Sequence, residues 1–317
     1  MTEKITLGIS ACLLGENVRY DGGHKLDHFL RDTLGQYVKY VPVCPEAEAG
    51  LGIPREAMRL VGDPAEPRLI TNKTGIDHTQ RMIRWAKDRV AALEKENLHG
   101  YIFKKDSPSS GLMRVKVYND KNMPDKKGVG IFARIFTEHF PLIPVEEEGR
   151  LRDPGLRENF IEQIFTLKRW RDTISKNPKK SGMVDFHSRN KLLVMSHSQK
   201  HASRMGKIVA GTEKPDDGTS IHRHYENLLM DALRLKATPA KHINVLHHIM
   251  GYFKKQLTTD EKQELLEVFD RFRSGHVPLI VPITLLNHYV RKYDQPYLRE
   301  QTYLNPHPVE LRLRAYI

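Results

Sequence analysis

The chain of 317 residues contains only two cysteines, Cys12 and Cys44. Two cysteines cannot build the disulfide framework of a small secreted scaffold, and in a reducing compartment even one bridge is not expected. Also missing is any apolar run near the roughly 20 residues needed to cross a bilayer. The N-terminus, Met1-Thr2-Glu3-Lys4-Ile5, has no apolar leader either. These absences predict a soluble, cytoplasmic protein with no membrane partner. There is no internal repeat or low-complexity tract, and no helix-turn-helix signature that would indicate sequence-specific DNA binding.

What is present is charge, unevenly spread. The net charge is +12; residues 1–150 hold 23 Lys and Arg against 21 Asp and Glu, whereas residues 151–317 hold 28 against 18, with 11 of the 16 histidines. A basic half beside a near-neutral half suggests that one binds a polyanion while the other does chemistry. A merely solvated basic surface is the plain alternative.

The first half alternates strand and helix signals. Ile5–Ile9, Val38–Val43 and Tyr101–Phe103 read as strands, with further strands expected at Val115–Tyr118 and Gly130–Ala133. Helical patterns lie around Leu26–Leu34 and, strongly amphipathic, from Gly75 to Glu96. This alternation predicts an α/β domain, a largely parallel sheet with flanking helices, over residues 1–148. The charged stretch Glu146-Glu147-Glu148-Gly149-Arg150 reads as a linker. Residues 149–317 read as an all-α domain, with helices at Pro154–Ser175, Val184–Ala210, His222–Leu235, Pro239–Gln256, Thr259–Arg273 and Pro282–Tyr293. Asp153, Thr238 and Thr258 are its candidate N-caps.

Three polar loops follow the three strands: Ser10–Gly15 with Cys12, Val43–Glu46 with Cys44, and Lys104–Gly111. In an open parallel sheet, ligands bind outside the carboxyl ends of strands. Both cysteines therefore fall where sites form, rather than mid-strand where apolar fillers sit. Two thiolates from separate loops suit a soft metal or an iron–sulfur cluster but are too few for an all-thiolate cluster, so a third ligand must come from elsewhere, with the third loop the obvious source.

The run Ser10-Ala11-Cys12-Leu13-Leu14-Gly15 with Val18-Arg19-Tyr20-Asp21-Gly22 resembles the start of the thiouracil desulfidase (TudS) family. So do Cys44-Pro45-Glu46, Gly50-Leu51-Gly52-Ile53-Pro54-Arg55 and the loop Ser107-Pro108-Ser109-Ser110-Gly111, over about residues 5–140 in all. The second half resembles the YbgA-like domain over about residues 180–314. The carrying residues are Leu193, Ser196-His197, Asn244-Val245-Leu246-His247-His248, Gly251-Tyr252-Phe253-Lys254, Gly275-His276-Val277-Pro278-Leu279, Tyr297-Leu298 and Gln301-Thr302-Tyr303-Leu304. Fused, the halves resemble the RudS type of tRNA thiouridine desulfidase.

The resemblance implies a [4Fe-4S] cluster held by three cysteines, whose fourth iron takes the sulfur of a thiolated uracil or uridine while water replaces it on the base. Cys12 and Cys44 match two ligand positions. At the third the family loop reads Ser-Pro-Ser-Cys-Gly, and here Ser110 stands in place of the cysteine, whether introduced or natural. A hydroxyl is a harder, weaker ligand than a thiolate, so the expectation is a labile or absent cluster and impaired turnover. Glu46 would act as general base or proton donor, and Ser107 and Ser109 would bond the base edge, though Ser-Pro and Ser-Gly pairs are ordinary turn formers. Arg19, Tyr20 and Asp21 either line the same pocket or form a surface Arg–Asp pair. The competing readings are a non-catalytic RNA-binding protein and a redox regulator switched by a Cys12–Cys44 bridge.

In the basic half, Arg189, Lys191, Lys200, Arg204 and Lys207 mix with histidines along what reads as one helix, interrupted by core positions Leu192–Met195. Cations on a helical face track phosphates, and the loop Lys176–Gly182, with Lys179 and Lys180, reads as a mobile phosphate contact or a plain inter-helix loop. The expected partner is tRNA, recognised by shape. Tyr225, Tyr252 and Phe253 are at helical spacing and read as core before they read as base-stacking platforms. His242, His247, His248 and His276 lack the cysteine or acidic partners of a zinc site.

Overall fold

Strand β1 (Ile5–Ser10) is buried along its whole length, as a central strand covered on both faces must be. A computed structural model describes residues 4–215 and 218–316. Residues 1–3, on which the reading of the N-terminus partly rests, lie outside the described residues, as do 216, 217 and 317. The chain divides into two compact units, Met1–Asp153 and Pro154–Ile317.

In the first unit, the short helical turns Phe29–Thr33 and Leu34–Gln36 lead from β1 to β2 (Val38–Val43), which is followed by the single-turn α1 (Pro45–Glu48). Then come β3 (Met58–Val61), β4 (Arg68–Thr71), α2 (Thr79–Leu93), β5 (Gly100–Phe103) and β6 (Val115–Tyr118). The unit ends with β7 (Pro124–Gly128), α3 (Ile131–His139) and β8 (Val145–Glu147). One sheet has the order β2-β1-β5-β8 and is parallel throughout. A second, β4-β3-β6-β7, mixes parallel and antiparallel pairs.

Helix α2 serves both sheets. Its Ala86, Val90 and Leu93 join Val41, Tyr101, Phe103, Phe132 and Phe136 in one core, while Met82, four residues earlier, joins Leu60, Leu69, Val115 and Val117 in the other. Each buried Val, Leu, Phe or Met among them stabilises the unit by about 1.5–3 kcal/mol.

Two expectations are corrected here. Gly130–Ala133 is not a strand: Gly130 caps α3, whose Ile131, Phe132, Ala133 and Phe136 are buried at helical spacing. Glu146–Arg150 is not a linker. Val145–Glu147 is an edge strand paired with β5, and Glu146, Glu147 and Glu148 are all buried. The units divide after Asp153, rather than between residues 148 and 149.

The second unit is helical: α4 (Pro154–Lys176), α5 (Lys180–His197), α6 (Gln199–Ala210), α7 (Ile221–Arg234), α8 (Pro239–Tyr252), α9 (Thr259–Arg273), α10 (Ile280–Lys292) and α11 (Pro296–Arg299). The single helix expected over Val184–Ala210 is two. Ser198 breaks it with an extended backbone and caps α6 by accepting from His201 N–H. Thr258 forms a full capping box with Glu261, a device worth about 1 kcal/mol. Tyr225 and Phe253 are core, whereas Tyr252 is exposed and stacked on Tyr297. His242 is buried against Tyr303 Oη at 3.0 Å, and His247 packs edge-on to Phe269.

A buried charged knot ties the end of the chain to α4. Arg314 donates to Glu158 at 3.1 Å and to Glu162 at 2.8 Å, and His197 Nε2 meets Glu162 at 3.0 Å. Glu158, Glu162 and His307 converge closely enough to ligate a cation, but the guanidinium of Arg314 already bridges both carboxylates.

Candidate functional site

The parallel order puts β2, β1 and β5 side by side, so the loops leaving their carboxyl ends share one edge. The first leaves Ser10 in a single 3-10 turn, Ala11–Leu14, that carries Cys12. The second makes Cys44 the residue before α1, with Pro45 opening that helix and the Cys44 N–H bonded to Glu48 Oε1 at 2.9 Å. The third runs from Lys104 to Gly111, and Lys104 N–H donates to Ser10 Oγ at 2.9 Å, which staples the third loop to the first.

Carboxylates of β8 and its exit pin the third loop from below. Glu147 Oε1 accepts from Leu112 and Met113 N–H at 2.8 and 3.3 Å, and Glu148 accepts from Lys105 N–H at 2.7 Å and from Lys104 Nζ. From the side, α3 donates its first N–H groups to the loop: Phe132 and Ala133 both reach the Ser109 carbonyl, at 2.9 and 3.2 Å. That approach requires glycine at 130, where a Cβ would meet the Ser109 carbonyl at 2.5 Å, and at 111, where it would meet the Ser107 carbonyl oxygen at 2.8 Å.

Cys12, Cys44, Glu46, Ser107, Ser109 and Ser110 all line one cavity of about 360 Å³. Arg19 and Tyr20 line it too; Asp21 lies outside the lining and pairs with Arg19 at 3.3 Å. The cavity is rich in cations, with Lys25, Arg55, Lys104 and Lys105 besides Arg19. Burial pushes the Cys12 thiol up to about 11, against the opposing pull of Lys104, and burial likewise raises Cys44. Both are therefore thiols near neutral pH, and a bound metal would have to displace their protons. As a donor set, Cys12, Cys44 and the buried Ser110 line the same cavity, and two of the three suit an iron–sulfur centre in kind.

Glu46 is held at both carboxylate oxygens. Oε1 accepts from Ser109 Oγ at 2.8 Å, and Oε2 accepts from Arg55 Nε at 3.1 Å and from its terminal nitrogen. Ser107 Oγ in turn accepts from Ser109 and Ser110 N–H and lies 3.1 Å from Ser109 Oγ. The serines expected at a base edge are thus also wired to the carboxylate.

Arg55 was not singled out by sequence reasoning, although it closes the Gly50–Arg55 motif. Its side chain is only 5% exposed and also donates to the Val18 and Gly52 carbonyls, at 3.1 and 3.0 Å. A nearly buried pair of this kind is strongly destabilised by removing one partner. Arg55→Ala should therefore lower the urea midpoint, and a double-mutant cycle with Glu46→Gln should show coupling of about 0.5–3 kcal/mol. Additive effects would show that the two side chains act independently.

All seven cations singled out in the second unit, Lys179, Lys180, Arg189, Lys191, Lys200, Arg204 and Lys207, are exposed. They do not lie on one helix: Lys180, Arg189 and Lys191 belong to α5, and Lys200, Arg204 and Lys207 to α6. Two are already paired, Arg189 with Asp185 at 2.9 Å and Arg204 with Glu213 at 2.5 Å. The segment read as the loop Lys176–Gly182 is non-helical only at residues 177–179. His187 and His197, read as part of the cation stripe, are buried. No helix among the described residues is long and apolar enough to cross a membrane.

Comparison with known proteins divides the chain along the same lines. Residues 7–148 match the family described as 2-thiouracil desulfurase, and residues 191–308 match a protein family of unknown function, DUF1722. The uncharacterized protein YbgA of Escherichia coli (strain K12) is 30% identical over 157 residues, which is 50% of this chain and 93% of that protein. A solved structure described as a [4Fe-4S]-dependent thiouracil desulfidase TudS is 30% identical, covers 48% of this chain and 95% of its own, and superposes with a TM-score of 0.39. The chain belongs to the proteins that join a 2-thiouracil desulfurase domain to a YbgA-like DUF1722 domain.

Proposed function

We propose that this chain removes sulfur from thiolated uridine in tRNA, with 4-thiouridine the favoured substrate, and releases it as sulfide. The observation that carries this reading is the convergence of Cys12, Cys44 and Ser110 on one cavity with a doubly anchored Glu46. That stretch of chain matches 2-thiouracil desulfurase. Cys12, Cys44 and Ser110 would hold a [4Fe-4S] cluster. When bound, such a cluster supplies a Lewis-acidic iron with an open position for a thiocarbonyl sulfur.

The net change is a hydrolysis without electron transfer: a C–O bond forms, the C–S bond breaks, and both protons of the water leave with the sulfide. Glu46 takes the first proton from the attacking water. Arg55 and Ser109 hold its carboxylate in place, so its orientation costs nothing at the moment of reaction. Ser107 accepts two backbone N–H groups, which leaves its hydroxyl proton for Ser109 or for an acceptor on the base. The cations around the cavity favour an anionic leaving group. The exposed lysines and arginines of α5 and α6 supply affinity for the tRNA backbone.

Anaerobic reconstitution of this chain and of its Ser110→Cys form tests the reading. Ser110→Cys should bind iron and sulfide more fully and release sulfide faster from thiolated tRNA. Equal iron content and turnover in the two forms would remove Ser110 from the ligand set. If neither form yields sulfide, the chain is a non-catalytic RNA binder; if Cys12 and Cys44 instead form a reversible bridge without iron, it is a redox regulator.

A further inference from the structure

A second and larger concavity of about 950 Å³ adjoins the cavity, and the two share Met58, Lys105, Asp106 and Pro108 in their linings. Its walls carry six cations, Arg59, Lys105, Arg114, Lys116, Lys126 and Arg150. The opposing carboxylates are only Asp106 and Glu147, and both are committed: Asp106 lies 3.6 Å from Lys105 Nζ, and buried Glu147 accepts the Leu112 and Met113 N–H groups.

The groove is built by strand alternation. Val115 and Val117 of β6 point into the core, which turns Lys116 outward; β7 is exposed over Pro124–Lys127. Arg114 holds a left-handed backbone, with φ 57°, at the end of the turn that Glu147 pins. A non-glycine residue is kept in that strained region only where the surroundings enforce it, and such residues cluster at functional sites. Arg59 lies over the Tyr118 ring at 5.1 Å, and its Nε is buried with no acceptor among the described residues. Arg114, Lys116 and Lys126 have no ion-pair partner among the described residues. Lys105 is paired with Asp106 and Arg150 with Glu146 at 2.7 Å; the other four, Arg59, Arg114, Lys116 and Lys126, repel one another unless an anion compensates them.

We propose that this groove seats the phosphodiester backbone of the RNA strand whose thiolated base enters the adjoining cavity. The proposal rests on the desulfidase reading for the identity of the base. A base that reaches the cavity must leave its stack, and its own backbone then lies at the mouth. The lining shared by the two concavities makes the groove the path that backbone takes. The first unit thus grips the nucleotides flanking the reacting base, and the basic helices of the second unit are not the only hold on the RNA.

The test uses the full chain carrying Arg114→Ala, Lys116→Ala and Lys126→Ala, all exposed positions whose loss leaves both cores intact. The probe is a single-stranded RNA oligonucleotide with one 4-thiouridine, titrated by fluorescence anisotropy at several salt concentrations. Losing three phosphate contacts should weaken binding roughly 50-fold at 0.15 M salt and flatten the log–log salt dependence by about 2. Desulfuration of free thiouracil by the reconstituted Ser110→Cys form should not change. Unaltered RNA affinity and slope in the triple variant would overturn the proposal, as would an effect confined to a control variant lacking Lys191, Lys200 and Lys207. If RNA binding falls as expected but no protein releases sulfide, the groove stands and the desulfidase reading falls.

Discussion

Replacing Glu46 with Gln in the Ser110→Cys form is expected to lower sulfide release from thiolated tRNA by roughly 10²–10⁴-fold, the range of a positioned general base. Iron content should stay constant, because Glu46 is not among the proposed ligands. The change also turns an amide towards donors that now face a carboxylate, since both Arg55 and Ser109 donate to Glu46. That mismatch is expected to cost about 1–3 kcal/mol of stability, so Glu46→Asp serves as the companion. It keeps the charge but draws it back by one methylene, and activity should again fall while the cluster remains. Full turnover by either variant would mean that the water is activated by something other than Glu46.

Arg314→Leu is expected to destabilise the protein by about 3–5 kcal/mol, because it removes the buried cation that Glu158 and Glu162 share and leaves the Glu162 charge without it. Glu158 and Glu162 both face Arg314, and none of the three is more than 10% exposed in its side chain. Burial alone would raise Glu162, but the His197 hydrogen bond and the Arg314 charge hold it well below the usual carboxylate range. Its stabilising contribution is therefore present above its unfolded pKa and is lost on acidification. Glu158 goes the other way: burial first, then the nearby Glu162 charge, push it up to about 7 from an ordinary 4.5. A folded state that keeps this proton loses stability as pH rises from about 4.5 to about 7. Burial lowers His187, His242 and His307, which favours folding as pH rises in parent and variant alike. Urea unfolding followed by helical signal should therefore show the Glu158 contribution as a loss of stability relative to Glu158→Gln across that range. An Arg314→Leu midpoint equal to the parent's would refute the knot as a determinant of stability.

The cavity was legible in the sequence because strand ends are. Ser10, Val43 and Phe103 close apolar runs, and each is followed by a polar loop containing Cys12, Cys44 or Ser110. What stayed hidden depends on partners far along the chain. The three glutamates at 146–148 look like a solvated linker, yet Glu147 and Glu148 bond groups 34 to 44 residues away. Arg55 finds Glu46 nine residues back across a loop whose path no local pattern specifies. Gly130–Ala133 is a short apolar run, for which strand and helix cannot be told apart by periodicity. The break at Ser198 is marked only by one serine, whose extended backbone and capping bond to His201 N–H become visible only in the folded chain. The second sheet was largely missed because β4 and β7 are short, exposed or polar.

The clamp from β8 onto the third loop has a temporal consequence. Both cysteines are made early, but Glu147 and Glu148, which pin the loop that carries Ser110, follow Cys44 by more than 100 residues. A nascent chain halted at residue 140 would display its thiols without a finished receptacle. Under the proposed function, loading of the cluster would wait until synthesis has passed residue 148.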